Sequence, residues 1–256
     1  MYGIDLPLIQ PWTSEPAVID IVSHLFDLSA KSLDAAAASS SGVTPVPTSS
    51  HSLTSTQSLR NQLPELASTL FVCHAEWLAW LNSPLAASEP NNARAQTEFS
   101  ERFDQVRPHV LDTLRRLGFI EHAFQLAEHY RDFRALAHLC HAERAQVYPL
   151  SVNPHHARLI AYVEKFEDAF AEEVCAWCIE HGEVRTLFAL EEEPEFDMYV
   201  DRFFERRRHP SVQWIHDIGK GRYGIAANLL LEEAEGATEL SAKQVSLLLH
   251  YRELVC

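Results

Sequence analysis

The chain has 256 residues, 46% of them hydrophobic, with only 8 glycines and a formal net charge of 21 − 36 = −15. That length allows one large domain or an extended array. The acidic balance disfavours nucleic acid and anionic membrane surfaces as direct partners, since both present phosphate.

No stretch alternates apolar and polar residues with period two, and the longer periodic segments are all helical, so an all-α class is expected. Five cysteines, an odd number, sit in apolar helical settings: Cys73, Cys140, Cys175, Cys178 and Cys256. They read as reduced, buried thiols. The N-terminus has no basic region followed by an apolar run, so no secretory signal is read there. No apolar run reaches the ~18 residues of a membrane span.

Met1 to Thr13 reads as extended, because Pro7 and Pro11 interrupt it. Ser14 then caps a helix with Pro16 in its first turn, where proline is tolerated. Val18, Ile19, Val22, Leu25, Phe26 and Leu33 give that helix its apolar face. Residues 1–38 form a first segment. Residues 39–58 are rich in Ser, Thr and Pro and are expected to be a disordered linker. A helical array is expected over 59–256.

The array opens with an apolar helix over Pro64 to Asn82. Two more follow, Ala93 to Val106 and Pro108 to Leu117, split at the proline. Gly118 suits the left-handed position that ends a helix. Ile120, Ala123, Phe124, Ala127 and Tyr130 then make one helical stripe, and Phe133, Leu136, Ala137 and Cys140 make a second. Asp132 is placed to cap the second helix through its carboxylate. The short connection predicts an antiparallel hairpin, a natural unit of a helical stack.

Helices are expected next at His155 to Lys165, Glu167 to His181, Glu183 to Leu190, Pro194 to Arg207, from Pro210 to the Gly219–Gly221 break, and after Tyr223. The last begins at Ser241 with Gln244 three residues on, a capping box. It runs to Cys256 without a stop signal, which predicts a fragment of a longer protein. The helices form short pairs without a strict period, so the expected architecture is an irregular α-solenoid.

Three constellations invite a chemical reading. Gly219-Lys-Gly-Arg-Tyr-Gly224 has the G-x-G-x-x-G spacing, but a helix precedes it where a dinucleotide fingerprint needs a strand. It is expected to be a helix end and a tight turn. Cys175-x-x-Cys178 supplies at most half a zinc site, with His138, Cys140 and His141 as the nearest candidates. It is expected to be two core thiols on one helix. The fourteen histidines are scattered and read as solvated helix faces, and Glu191 to Glu193 reads as a solvated acidic turn. Arg206 to Arg208 sits where cations favour a helix C-terminus. The aromatic stripes (Trp77 and Trp80, Trp177, Phe203 and Phe204, Trp214) read as core. No serine or cysteine occupies a nucleophile elbow. No catalytic, cofactor-binding or metal residues are assigned, and the chain is not expected to be an enzyme.

The pattern itself resembles a family. Leu126-Ala-Glu-His-Tyr-Arg-Asp-Phe133, followed by Leu136 and Leu139-Cys140, is similar to a hairpin of the scaffold nucleoporin-133 family. Phe166 to Gly182, with Trp177 before the closing His-Gly, and Arg185 to Leu190 follow in the family's order. So do Trp214-Ile-His-Asp-Ile218 and the small-residue helix at Ala226, Ala227 and Leu229. The resemblance covers about Leu63 to Cys256.

It implies a C-terminal α-solenoid segment of the Y-shaped nuclear pore coat, without the family's N-terminal β-propeller. The implied role is architectural support of nucleocytoplasmic transport and mRNA export at the nuclear envelope. The implied partner is a nucleoporin-107-family neighbour, its main contact lying C-terminal to Cys256. No nucleic acid and no direct membrane contact is expected, and no cofactor. The alternative reading is a helical-repeat adaptor of a vesicle-coat or protein-sorting complex, because solenoids of that kind share the same physics.

Overall fold

The computed structural model describes residues 12–40, 50–87, 92–142 and 155–236. Among these every regular element is helical. The fold is all-α and solenoid-like, as expected: most helices pack on neighbours one to three places away in sequence. The chain divides into two compact units, Met1–Ala135 and Leu136–Cys256. The divide falls inside the second helix of the expected hairpin, and does not follow the expected segments 1–38, 39–58 and 59–256.

The first unit starts with a 3-10 turn, Trp12–Ser14, then α1 (Pro16–Ser40), α2 (Ser50–Leu81), α3 (Pro84–Ala87), α4 (Asn92–Arg116) and α5 (Ile120–His129). Ile19, Phe26 and Leu33 recur every seven residues on α1 and are buried against α2. Asp20, Asp27 and Asp34 follow one position later. They meet Arg102, His109 at 3.3 Å and Arg116 at 3.8 Å on α4. Both sets climb by seven in the same direction, so α1 and α4 run parallel beside the antiparallel α2. These pairs are half-exposed and set alignment more than stability.

Two prolines fall where the sequence suggested helix ends, and both lie inside helices. Pro64 sits within α2 and Pro108 within α4. An interior proline costs roughly 3 kcal/mol through its missing N–H and ring clash. Packing on either side outweighs it: Leu63, Ala67 and Leu70 flank Pro64, and Val110, Leu111 and Leu114 follow Pro108, all at most 1% exposed. The two expected helices at 93–106 and 108–117 are therefore one. Helix also enters both ends of the expected 39–58 linker, since α1 reaches Ser40 and α2 begins at Ser50. Residues 41–49 lie outside the described residues.

α6 (Phe133–Ala142) crosses the divide. Its start is fixed as the sequence predicts: the Ala135 amide donates to Asp132 Oδ1 at 3.0 Å. The second unit contains α7 (His156–Phe166), α8 (Asp168–Glu180), α9 (Val184–Glu191), α10 (Asp197–Arg206), α11 (Pro210–Gly219) and α12 (Tyr223–Gly236). Phe170, Val174, Phe196, Val200 and Phe203 form its centre, each at most 2% exposed. The helix expected from Ser241 lies outside the described residues.

One turn recurs. Gly118, Arg131, Gly182 and Gly221 take positive φ of 85°, 52°, 69° and 71°. In each case the next amide reaches back five residues: Phe119 to Leu114, Asp132 to Ala127, Glu183 to Cys178 and Arg222 to Asp217, at 2.7–2.8 Å. This is the Schellman ending, which satisfies orphan carbonyls and reverses the chain at once. The repeat thus lies in the turn geometry although the sequence shows no strict period.

Candidate functional site

Three stretches singled out in the sequence converge in the second unit: Glu191 to Glu193, Trp214 to Ile218, and Gly219 to Gly224. Glu191 ends α9, and Asp197 and Asp201 lie one turn apart at the start of α10. His216 and Asp217 occupy the last turn of α11. The Schellman turn at Gly221 folds Arg222 back beneath Asp217.

The result is one polar network. His216 Nδ1 lies 2.6 Å from Glu191 Oε1, and its Nε2 lies 3.0 Å from Asp201 Oδ1. Arg222 donates to Asp201 Oδ1 at 2.9 Å and to Asp217 Oδ1 at 2.7 Å. Lys220 pairs with Asp197 and approaches Glu191 and Asp201 at 3.7 and 3.6 Å. Ionised carboxylates only accept, and a neutral imidazole donates through one nitrogen. His216 therefore satisfies both neighbours only with both ring nitrogens protonated.

Burial would raise the Asp201 carboxyl; the Arg222 hydrogen bond, the Lys220 charge and His216 outweigh burial and hold it below the usual carboxylate range. The Asp197 hydrogen bond raises Lys220 above the ordinary lysine value.

The His216 side chain is 0% exposed, enclosed by the groups it joins. A cleft of about 410 Å³ lies alongside, lined by Phe188, Glu191, Glu192, Asp197, Ile215, Gly219 and Lys220. No Ser, Thr or Cys nucleophile stands among its lining residues. What the arrangement does is tie α9, α10, α11 and the start of α12 together.

The glycine motif is a helix end, as the sequence implied. Gly219 closes α11, Gly221 takes positive φ, and Gly224 lies in the first turn of α12. A Cβ at any of the three would meet nothing within 4 Å. Only Gly221 needs to be glycine, and it needs it for φ alone.

Cys175 and Cys178 are core thiols, both 0% exposed. Burial pushes Cys175 well above the ordinary thiol range and Cys140 up to about 12. Cys178 Sγ lies 4.0 Å from His141 Nε2. His138 instead accepts from the Trp177 indole at 3.4 Å, and His181 stacks on the same ring at 4.2 Å. Among the described residues no three His, Cys, Asp or Glu side chains are arranged to hold a metal ion.

Three readings need correction. His74, His141 and His216 are buried, not on solvated faces, although His122 and His129 are exposed. Glu191 is not a solvated turn residue; its side chain is 14% exposed and bound to His216. Phe203 and Phe204 are core, but Trp77, Trp80, Trp177 and Trp214 are only half-buried. Periodicity does not flag His216 or Glu191, because each finds its partner far along the chain.

The basic run is spent internally as well. Arg206 and Arg207 pair with Asp168 and Glu172, and Arg208 with Glu232.

A sequence model described as "Non-repetitive/WGA-negative nucleoporin C-terminal" matches residues 5–248. Nucleoporin nup132 of Schizosaccharomyces pombe is 26% identical over 243 residues, 92% of this chain and 20% of that protein. Nucleoporin nup131 of the same organism is 25% identical over 138 residues, 54% of this chain and 12% of that protein. The nuclear pore complex protein Nup133 of Drosophila melanogaster is 28% identical over 152 residues, 58% of this chain and 11% of that protein. The chain thus spans a fifth or less of the length of each of these relatives.

Proposed function

The chain belongs to the non-repetitive, WGA-negative nucleoporin family, through that family's C-terminal region, and from this premise we propose that it is a structural segment of the nuclear pore complex at the nuclear envelope. Its role is architectural. It forms part of the outer-ring coat of the Y-shaped complex and supports nucleocytoplasmic transport and mRNA export by shape and contact, without catalysis.

The observation that carries this reading is the family match, which runs through both compact units. The second unit agrees with it: a cluster of ionisable groups there is consumed in joining four consecutive helices. No observation favours the vesicle-coat or sorting adaptor.

Partners are other proteins of the pore. The finer assignment is a nucleoporin-107-family neighbour whose main contact lies C-terminal to Cys256. Cross-linked purification of the tagged full-length product tests it. Recovery of a nucleoporin-107-family protein, with cross-links beyond Cys256, supports the assignment. Recovery of vesicle-coat subunits in place of nucleoporins would overturn it.

A further inference from the structure

His74 is a buried polar group of the first unit with one ring nitrogen unsatisfied. It lies on α2, is 0% exposed, and packs between Phe99 and Phe103 of α4. The ring planes lie within 25° and 15° of the two phenyl rings, at 5.1 and 4.6 Å. Its Nδ1 lies 2.8 Å from the Leu70 carbonyl and can only donate to it. That fixes the proton on Nδ1 in the neutral ring and leaves Nε2 bare. Nε2 is buried with no hydrogen-bond partner.

A second proton would have to go on Nε2. It would create a buried cation whose new N–H faces no acceptor, and both penalties are large in an apolar interior. Burial accordingly pushes the ring below the ordinary imidazole range, against the opposing Leu70 hydrogen bond. The charged groups acting on it are Arg102 of α4, which opposes protonation, and Asp20 of α1, which favours it. These two are engaged with each other. Elsewhere around α2, Arg107 of α4 lies over the Phe103 ring and against Asp132, Glu76 accepts from Thr13 of the N-terminal turn, and Tyr130 after α5 tilts onto Phe71. None of them places an acceptor at Nε2.

We propose that His74 is an acid-sensitive latch: neutral, it clamps α2 to α4, and taking up a proton releases the pair. The device needs no ligand and acts within the first unit alone.

The test is hydrogen exchange of the α2 and α4 amides at pH 7.5 and 5.5, corrected for intrinsic rates, on the chain and on His74→Phe. Linkage to an unfolded imidazole near ~6.5 limits the effect to about tenfold in the opening constant. Opening in the chain should rise several-fold toward that limit on acidification, and His74→Phe should lack that increment. Equal increments in both proteins would overturn the proposal. Should His74→Phe fail to fold, the His74 ring is followed by NMR titration in the unaltered chain. A midpoint well below that of the exposed His122 and His129 supports the latch, and a midpoint at or above theirs overturns it.

Discussion

Glu191 and His216 stand 25 positions apart and meet at 2.6 Å. That contact closes α9 onto α11, while Nε2 of the same ring holds Asp201 of α10 at 3.0 Å. Replacing His216 with phenylalanine keeps a flat aromatic ring, slightly larger, but leaves two partly buried carboxylates facing an apolar group. Removing one member of a buried pair costs about 3–5 kcal/mol, and partial exposure of Asp201 lowers that to roughly 2–4 kcal/mol here. Urea unfolding of His216→Phe should show this loss. A midpoint within error of the parent would mean the network does not hold the helices.

The same network gives a pH dependence with a definite sign. Asp201 has a folded pKa below its unfolded value. Its contribution is therefore fully present above the unfolded value near ~4 and is lost as pH falls through the folded value. Asp201→Asn should be less stable than the parent at pH 7, and the gap should narrow below about pH 4. A gap that is constant from pH 7 to pH 3 would contradict the assignment.

Two glycines two positions apart should respond in opposite senses. Gly221 has φ of 71°, where a Cβ costs about 1–2 kcal/mol, so Gly221→Ala should destabilise by that amount. Gly219 closes α11 at ordinary φ with open space around it. There alanine should stabilise by about 0.5–1 kcal/mol. Arg131 holds the same left-handed position as Gly221 without being glycine. Arg131→Gly should be neutral or slightly stabilising, by at most about 1 kcal/mol. Thermal unfolding of the three variants checks the whole set.

The buried thiols should resist modification. Cys140, with its pKa near 12, and Cys175, raised further by burial, carry almost no thiolate at pH 7. Both should react with a thiol reagent only as fast as the protein unfolds. Rapid labelling of either residue in native protein would contradict its burial.

Much of this fold was legible in advance, and the misses have physical causes. Stripes such as Ala123, Phe124 and Ala127, the Asp132 cap and the left-handed Gly118 are local features, and they stand where the sequence put them. Pro64 and Pro108 misled because the local rule against interior proline is overridden by packing from helices distant in sequence. The His216–Glu191 contact is silent in the sequence for the same reason: a polar contact 25 positions long leaves no periodic trace. The α1–α4 ladder, separated by 82 positions, is equally silent. The family resemblance in the sequence starts at about Leu63, whereas the family match begins at residue 5 and takes in α1. The motif carrying the resemblance lies at 126–140, and the α1 stripe is too generic to announce a family.

The most direct test of the central claim is the location of the full-length product. It should be tagged at the endogenous locus and imaged together with a known nucleoporin. The account predicts a punctate nuclear rim that coincides with the pores. Exclusion from the rim, with signal on cytoplasmic vesicles, would contradict it.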